Sequence, residues 1–217
     1  MREWLAKELL NIEAVSLSPN HPYTWTSGLK SPIYCDNRLT LSFPSLRKSI
    51  AEGLTEIVRE KFAEADVIAG TATAGIPHAA LVADLLELPM IYVRSSSKSH
   101  GKENKIEGRL QKGQNVVIIE DLISTGGSVV QVKDAVTESG ATVLGAAAIF
   151  TYGLKKGQEV LSEADLDCHT LTDFGTLIET ALSDDYLTNQ EAERLRLWKK
   201  NPENENWLKK ASYSKKE

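Results

Sequence analysis

The stretch VVIIEDLISTGGSV, residues 116–129, decides the fold of this 217-residue chain. Its first four residues form a continuous apolar run, which is typical of a parallel strand covered on both faces. Two carboxylates, Glu120 and Asp121, follow, and a turn of Ser, Thr and Gly residues leads into an amphipathic segment. The pattern predicts a strand, a turn and a helix in direct succession. Because ligands of open α/β sheets bind at the carboxyl ends of parallel strands, the turn is a candidate site.

The turn has the composition of a phosphate-binding loop. Glycine lets backbone N–H groups approach a ligand closely, hydroxyls add donors, and the start of a helix favours negative charge. The turn has neither the lysine of a P-loop nor a dinucleotide-binding fingerprint. The two carboxylates before it would repel a phosphate, but they accept hydrogen bonds from vicinal hydroxyls. A ribose 5-phosphate satisfies both parts, while a Mg²⁺ site and a purely structural turn are the alternatives.

On both sides of this stretch, strands alternate with helices. The predicted strands are residues 67–69, 90–93, 116–119 and 142–150. One helix is predicted to begin at Ser42-Phe43-Pro44, where Pro44 suits a first turn and Ser42 can cap it. Further helices are predicted to begin at Pro77 and to cover residues 128–139. This order predicts an α/β fold with a mostly parallel central sheet flanked by helices.

Residues 94–114 interrupt the alternation with a polar loop between two predicted strands. A connection of this length inside a compact domain is usually either functional or disordered. It holds Arg94, Lys98, His100, Lys102, Lys105 and Arg109 against Glu103 and Glu107, so this loop is locally cationic. We predict a mobile arm that closes over an anion, with a solvated insertion as the alternative.

The two ends of the chain lie outside the alternating pattern. Residues 4–10 predict a short helix that buries Trp4, Leu5 and Leu9 on one face. In the basic tail, Trp207-Leu208 is predicted to pack back onto the body. We therefore predict a single domain over residues 1–217, with N-terminal hood elements over 1–42, an α/β core over 43–175 and a C-terminal helical extension over 176–217.

Composition excludes several classes of protein. With 41% hydrophobic and 25% charged residues, the chain is neither disordered nor fibrous, and its apolar runs are too short for a membrane span. A net charge of −5 argues against nucleic acid as a partner. The two cysteines, Cys35 and Cys168, are too few for a disulfide framework and lack metal-ligand spacing. We expect a cytoplasmic protein.

The central stretch resembles the phosphoribosyl pyrophosphate motif of the type I phosphoribosyltransferases. Three further segments resemble the orotate phosphoribosyltransferases of Gram-positive bacteria: TSGLKSPIYCDNRLTL (26–41), GTATAGIPH (70–78) and YVRSSSKSHGKENKIEG (92–108). The resemblance extends over nearly the whole chain. It implies transfer of ribose 5-phosphate from phosphoribosyl pyrophosphate to N1 of orotate, giving orotidine 5′-phosphate and pyrophosphate.

The resemblance also implies the site residues. It makes Lys98, His100 and Asp121 the catalytic residues. It implies that phosphoribosyl pyrophosphate is held by Arg94, Lys98, His100, Glu120, Asp121, Leu122, Ile123, Ser124, Thr125, Gly126, Gly127 and Ser128. Orotate would contact Ser124, Tyr34 and Arg38, with a surface ion pair to Asp36 as the alternative role of Arg38. The Mg²⁺ cofactor would arrive on the diphosphate, so no protein metal ligand is expected.

The sequence departs from the enteric form of the family at several basic positions. Ser95, Ala74, Thr26 and Tyr152 stand where that form has lysine or arginine. These differences bear on how the orotate carboxylate and the pyrophosphate are held. The resemblance further implies a homodimer in which the loop of one subunit serves the site of the other. The competing functions are a purine-base phosphoribosyltransferase and a non-catalytic nucleotide-sensing regulator of the same fold.

Overall fold

The computed structural model describes residues 1–25, 28–94 and 105–209. The helices are α1 (Arg2–Asn11), α2 (Pro44–Lys61), α3 (Gly75–Leu86), α4 (Gly127–Glu138), α5 (Lys155–Glu163), α6 (Phe174–Ser183), α7 (Asn189–Lys200) and α8 (Asn206–Lys209). The strands are β1 (Val15–Leu17), β2 (Tyr23–Thr24), β3 (Lys30–Ser31), β4 (Ile33–Cys35), β5 (Val67–Thr71), β6 (Met90–Val93), β7 (Ile106–Glu107), β8 (Asn115–Ile123), β9 (Thr142–Thr151) and β10 (Cys168–Asp173). A 3₁₀ helix, Asn37–Ser42, precedes α2.

A six-stranded sheet in the order β10-β9-β8-β5-β6-β7 forms the centre of the fold. All neighbouring strands are parallel except β6 and β7, which are antiparallel. Alternate residues of β8 belong to different cores, since Val117 and Ile119 pack with α2, α3 and α6 while Val116 and Ile118 pack with α4. The predicted mostly parallel α/β fold is confirmed, and both faces of the strands are covered.

Two strands of this sheet, β10 and β7, were not predicted from the sequence. β10 has a mixed composition, CHTLTD, and four of its six residues are only partly buried, so it lacks the apolar run of a central strand. β7 is only two residues long and pairs Ile106 with Val93 and Glu107 with Tyr92. The predicted loop of residues 94–114 is therefore too long, because the chain rejoins the sheet at Ile106. Residues 95–104 lie outside the described part of the chain.

The ends of two predicted helices also differ from expectation. α1 buries Leu5, Ala6, Leu9 and Leu10, whereas Trp4 is 41% exposed, so its predicted burial is wrong. The buried face of α1 is therefore centred about one residue further along the chain than the sequence predicted. Pro44 opens α2 as predicted, but the predicted Ser42 cap is wrong: Phe43 occupies the cap position without a side-chain hydrogen bond and Ser42 ends the 3₁₀ helix.

The other predicted helices shift by one or two residues. α3 begins at Gly75, two residues before Pro77, and α4 begins at Gly127 instead of Ser128. In the tail, Trp198 and Trp207 are 0% and 2% exposed, so the predicted packing of Trp207 against the body is confirmed. Over the residues described, no helix is long and apolar enough to cross a membrane.

Candidate active site

The phosphate-binding turn lies between the end of β8 and the start of α4. Gly126 caps α4 with φ of +77°, a left-handed conformation that glycine adopts without strain. The backbone N–H groups of the first turn of α4 have no partners within the helix, which makes this end suited to an anion. A cavity of about 60 Å³ lies here and is lined by Glu120, Leu122, Ile123, Ser124, Thr125, Gly126, Gly127, Ser128 and Val129.

The two carboxyl groups at the end of β8 have different environments. Glu120 is 5% exposed, and its Oε1 accepts a hydrogen bond from the Asp121 N–H at 3.0 Å. Burial, reinforced by the neighbouring Asp121, raises the pKa of Glu120 well above its ordinary value. Asp121 is only partly buried; burial raises its pKa, and the hydrogen bond with Glu120 acts in the opposite direction. Folding therefore favours the protonated form of both groups, and most strongly that of the more deeply buried Glu120.

The start of α3 lies against this acid pair. A Cβ added to Gly75 would stand 2.5 Å from the Ile119 carbonyl oxygen and 3.3 Å from the Glu120 Cα. Only glycine permits this approach, and it brings residues 70–75, from one of the segments that carry the resemblance to the family, beside the end of β8. On the opposite side, the buried Asn37 donates from Nδ2 to the Asp121 carbonyl oxygen at 2.7 Å. Sequence reasoning did not select Asn37, although it lies within the segment that carries the resemblance to the family.

An aromatic cavity of about 410 Å³ opens next to the turn. Its walls come from three distant segments of the chain: Thr24, Trp25, Tyr34, Cys35, Leu122, Ser124 and Tyr152. We call it the base cavity. It contains Tyr34 and Ser124, as the sequence predicted for orotate, whereas Trp25, Cys35 and Tyr152 were not predicted to line it. Burial raises the pKa of the Cys35 thiol and of the Tyr152 hydroxyl, so both stay neutral at physiological pH.

The structure does not bring Arg38 to the wall of the base cavity. Its Nε and Nη2 lie 2.6 and 2.7 Å from the two carboxylate oxygens of Asp36, which is the ion pair considered as its alternative role. This pairing raises the pKa of Arg38 and lowers that of Asp36. Arg38 remains close enough to Tyr34 and Asp121 to interact with them electrostatically. Its predicted contact with orotate stays a prediction.

The predicted pyrophosphate ligands are only partly described. Arg94 follows β6, and its Nε lies 3.1 Å from Oε1 of Glu107. Lys98 and His100 lie outside the described residues. A third cavity, of about 840 Å³, borders Ser124 and Thr125 and is lined by four lysines: Lys30, Lys155, Lys156 and Lys200. No three His, Cys, Asp or Glu side chains cluster as a metal site within residues 1–25, 28–94 and 105–209.

Comparisons with known proteins agree with this geometry. The model of the phosphoribosyl transferase domain matches residues 42–182. The orotate phosphoribosyltransferase of Listeria monocytogenes is 60% identical over 92% of this chain and 96% of its own length. That of Bacillus subtilis is 55% identical over 97% of each chain. The crystal structure of orotate phosphoribosyltransferase from Aeropyrum pernix, 28% identical, superposes with a TM-score of 0.74 over 85% of this chain and 99% of that one.

Proposed function

The chain belongs to the phosphoribosyl transferase family and, within it, to the orotate phosphoribosyltransferases, and from this premise we propose how its residues divide the reaction. The enzyme transfers ribose 5-phosphate from phosphoribosyl pyrophosphate to N1 of orotate and releases pyrophosphate. The C1–O bond to the diphosphate breaks, a C1–N1 bond forms, and N1 of orotate gives up its proton, for which the leaving pyrophosphate is an acceptor. Positive charge develops on the sugar, and negative charge develops on the leaving group.

One observation supports the proposed positions of the two substrates. Ser124 lines both the phosphate cavity and the base cavity. A ribose phosphate held at residues 124–128 therefore places its C1 towards the aromatic walls, where a flat pyrimidine stacks on Tyr34. The Ser124 hydroxyl and the Thr24 hydroxyl at the cavity wall are donors for the carboxylate or carbonyl oxygens of orotate.

Asp121 is the group that we assign to the sugar. It is partly exposed, and in its ionised form it accepts hydrogen bonds from the ribose hydroxyls and offsets the positive charge that develops during C1–O cleavage. Glu120 is held neutral by burial, which removes a charge that would repel the phosphate. The neutral carboxyl keeps a proton with which it can donate to a sugar oxygen. With Asp121 ionised, the pair provides one charged and one neutral carboxyl to the same ribose.

The pyrophosphate leaving group is proposed to bind to cationic side chains. Arg94, Lys98 and His100 are the proposed ligands of the pyrophosphate, because fixed positive charge stabilises the negative charge that appears in the transition state. Mg²⁺ is proposed to enter bound to the diphosphate, where it neutralises part of its charge.

A homodimer in the cytoplasm completes the proposal. Leu39 lies in the 3₁₀ helix that holds Asp121 through Asn37, and Phe43 follows this helix; they are 42% and 43% exposed and offer an apolar contact surface. The loop that carries Lys98 and His100 is proposed to act in the partner's site. Cys35 and Cys168 are both free thiols, as a reducing compartment would keep them.

A spectrophotometric assay tests the proposed function. The purified chain should consume orotate only when phosphoribosyl pyrophosphate and Mg²⁺ are both present, and it should not consume adenine, hypoxanthine or uracil at a comparable rate. Removal of Mg²⁺ with a chelator should abolish turnover, and added Mg²⁺ should restore it. A preference for a purine base, or binding of phosphoribosyl pyrophosphate without turnover of any base, would refute the proposal.

A further inference from the structure

One wall of the base cavity is a hairpin with little support of its own. β2 and β3 pair at two positions, Tyr23 with Ser31 and Thr24 with Lys30. Two further backbone hydrogen bonds close the turn between them, from the Trp25 N–H to the Leu29 carbonyl oxygen and from the Gly28 N–H to the Trp25 carbonyl oxygen. A two-stranded hairpin of this size is not stable in isolation. Thr24 ends β2, and Trp25 is the first residue of the connection to β3. Both residues line the base cavity. The position of this wall therefore depends on what packs against the hairpin.

Helix α7 holds the hairpin at both ends. At the end of the hairpin, Trp198 donates from Nε1 to the Lys30 carbonyl oxygen at 3.1 Å. Before the hairpin, Asn20 donates from Nδ2 to Oε1 of Glu191 at 2.7 Å and accepts a hydrogen bond from Nη1 of Arg194. The chain is thus fixed to α7 where it enters and where it leaves this wall.

The Trp198 ring also contacts two residues that line the base cavity. It meets the Trp25 ring edge-on with centroids 5.7 Å apart, and the Tyr152 ring edge-on at 6.1 Å. Trp25 and Tyr152 are themselves 5.4 Å apart. Trp198 is fully buried and does not line the cavity, so it reaches a bound base only through these two rings and the hairpin.

We propose that Trp198 is a positioning residue for the base, and that α7 is a structural part of orotate recognition. The matched family domain, residues 42–182, contains neither the hairpin nor α7. The two flanking segments of the chain pack on each other and build a wall that the domain alone lacks. The inference rests on the proposed placement of orotate in the base cavity.

The test compares two buried tryptophans of the C-terminal segment. Trp198→Phe keeps an aromatic ring but removes the N–H donor to Lys30. Trp207→Phe is the matched control, because Trp207 is 2% exposed and its Nε1 has no hydrogen-bond partner in the part of the chain that the structure describes. For Trp198→Phe we expect the KM for orotate to rise roughly fivefold, the scale of one lost hydrogen bond, with kcat and the KM for phosphoribosyl pyrophosphate within about twofold of wild type. The control should leave all three parameters within about twofold.

Asn20→Ala provides a second, independent variant at an exposed position, so it tests the inference even if Trp198→Phe fails to fold. It releases the other end of the hairpin and should also raise the KM for orotate selectively. Thermal unfolding of each variant separates lost stability from lost positioning. Equal rises in both KM values, or an unchanged KM for orotate in folded variants, would overturn the inference. A wild-type chain that does not act on orotate would instead refute the proposed function.

Discussion

Two adjacent carboxyl groups at the end of β8 differ in burial, and burial raises the pKa of both, most clearly that of Glu120. Glu120 is almost completely covered, whereas Asp121 is partly exposed. The sequence predicted both as acceptors of ribose hydroxyls, because adjacent residues look equivalent in a sequence. Alternation along a strand sends neighbouring side chains to opposite faces, so their environments are decided by what packs on each face.

Stability should depend on pH through Glu120. A carboxyl whose pKa is raised by folding binds its proton more tightly in the folded state, so stability falls as pH rises from its ordinary value of 4.5 towards the raised one. Glu120→Gln removes this penalty. We expect the variant to gain roughly 1–2 kcal/mol of unfolding free energy over wild type at pH 8, and little at pH 4. Thermal and denaturant unfolding at both pH values measure the difference.

The control for this prediction is Asp134→Asn, at an exposed position on α4. It removes a charge that water already solvates, so its effect on stability should be small at both pH values. If Glu120→Gln shifts stability equally at pH 4 and pH 8, Glu120 is not protonated in the folded enzyme.

Arg38 is the described cation that we assign to the orotate carboxylate. Its guanidinium is paired with Asp36, so binding requires the carboxylate to share or replace that partner. We expect Arg38→Ala to raise the KM for orotate about tenfold and the KM for phosphoribosyl pyrophosphate less than twofold, since a charge-assisted hydrogen bond is lost. Arg59→Ala, on α2 and exposed, is the control. If the two KM values rise equally, Arg38 does not bind the orotate carboxylate, and its role is limited to the ion pair with Asp36.

Among the elements, the strand–turn–helix of residues 115–138 was the most predictable part of the fold. An apolar run, a glycine turn and an amphipathic helix follow each other there, so all the information is local. The base cavity is the opposite case. Trp25, Tyr34 and Tyr152 meet only after the hairpin, β4 and the end of β9 have packed, and nothing local in the sequence pairs them.

Helix α5 supports the phosphate turn through a glycine. A Cβ on Gly157 would stand 2.6 Å from the Ser124 carbonyl oxygen, so α5 can pack there only with glycine. We expect Gly157→Ala to lower the unfolding free energy by about 1–3 kcal/mol, the usual cost of overpacking, and to reduce kcat/KM for phosphoribosyl pyrophosphate about tenfold. Unfolding curves and steady-state kinetics give both numbers.

Gly53→Ala on α2 is the matched control for this prediction. Its added Cβ would meet the Leu171 Cδ2 at 3.0 Å, which is the end of a flexible side chain and not backbone. Alanine also has the higher helix propensity, so this variant should keep wild-type kinetics and nearly wild-type stability. Equal losses in the two variants would mean that the contact of α5 with Ser124 has no special role.

At the scale of the whole molecule, one described subunit contains only part of the proposed site. Asp121, the phosphate turn and the base cavity belong to the same subunit. The proposed pyrophosphate ligands Lys98 and His100 lie on the loop between β6 and β7, in residues 95–104. A loop of this length that carries several cations gains most by ordering against an anion, and two-fold symmetry would give two composite sites.

Mixing two inactive variants tests whether the loop crosses between subunits. Lys98→Ala removes the loop cation, and Asp121→Asn removes the carboxylate at the sugar, so each homodimer should be nearly inactive. If the loop acts across the interface, a heterodimer has one intact site and one doubly damaged site. Random reassociation makes half of the dimers heterodimers, and the mixture should recover about a quarter of wild-type activity.

The alternative arrangement gives a different result in the same experiment. If the loop serves its own subunit, every site of the heterodimer carries one damaged residue, and mixing restores nothing. Subunit exchange must be shown separately, by native mass spectrometry of differently tagged subunits, so that a lack of recovery is informative. A mixture of wild type with the doubly substituted chain is the control. Its heterodimers carry one damaged residue in each site under the crossing arrangement, and one intact site if each loop serves its own subunit. Wild-type homodimers make up about a quarter of this control mixture, so its activity should be about a quarter of wild type if the loop crosses and about half if each loop serves its own subunit.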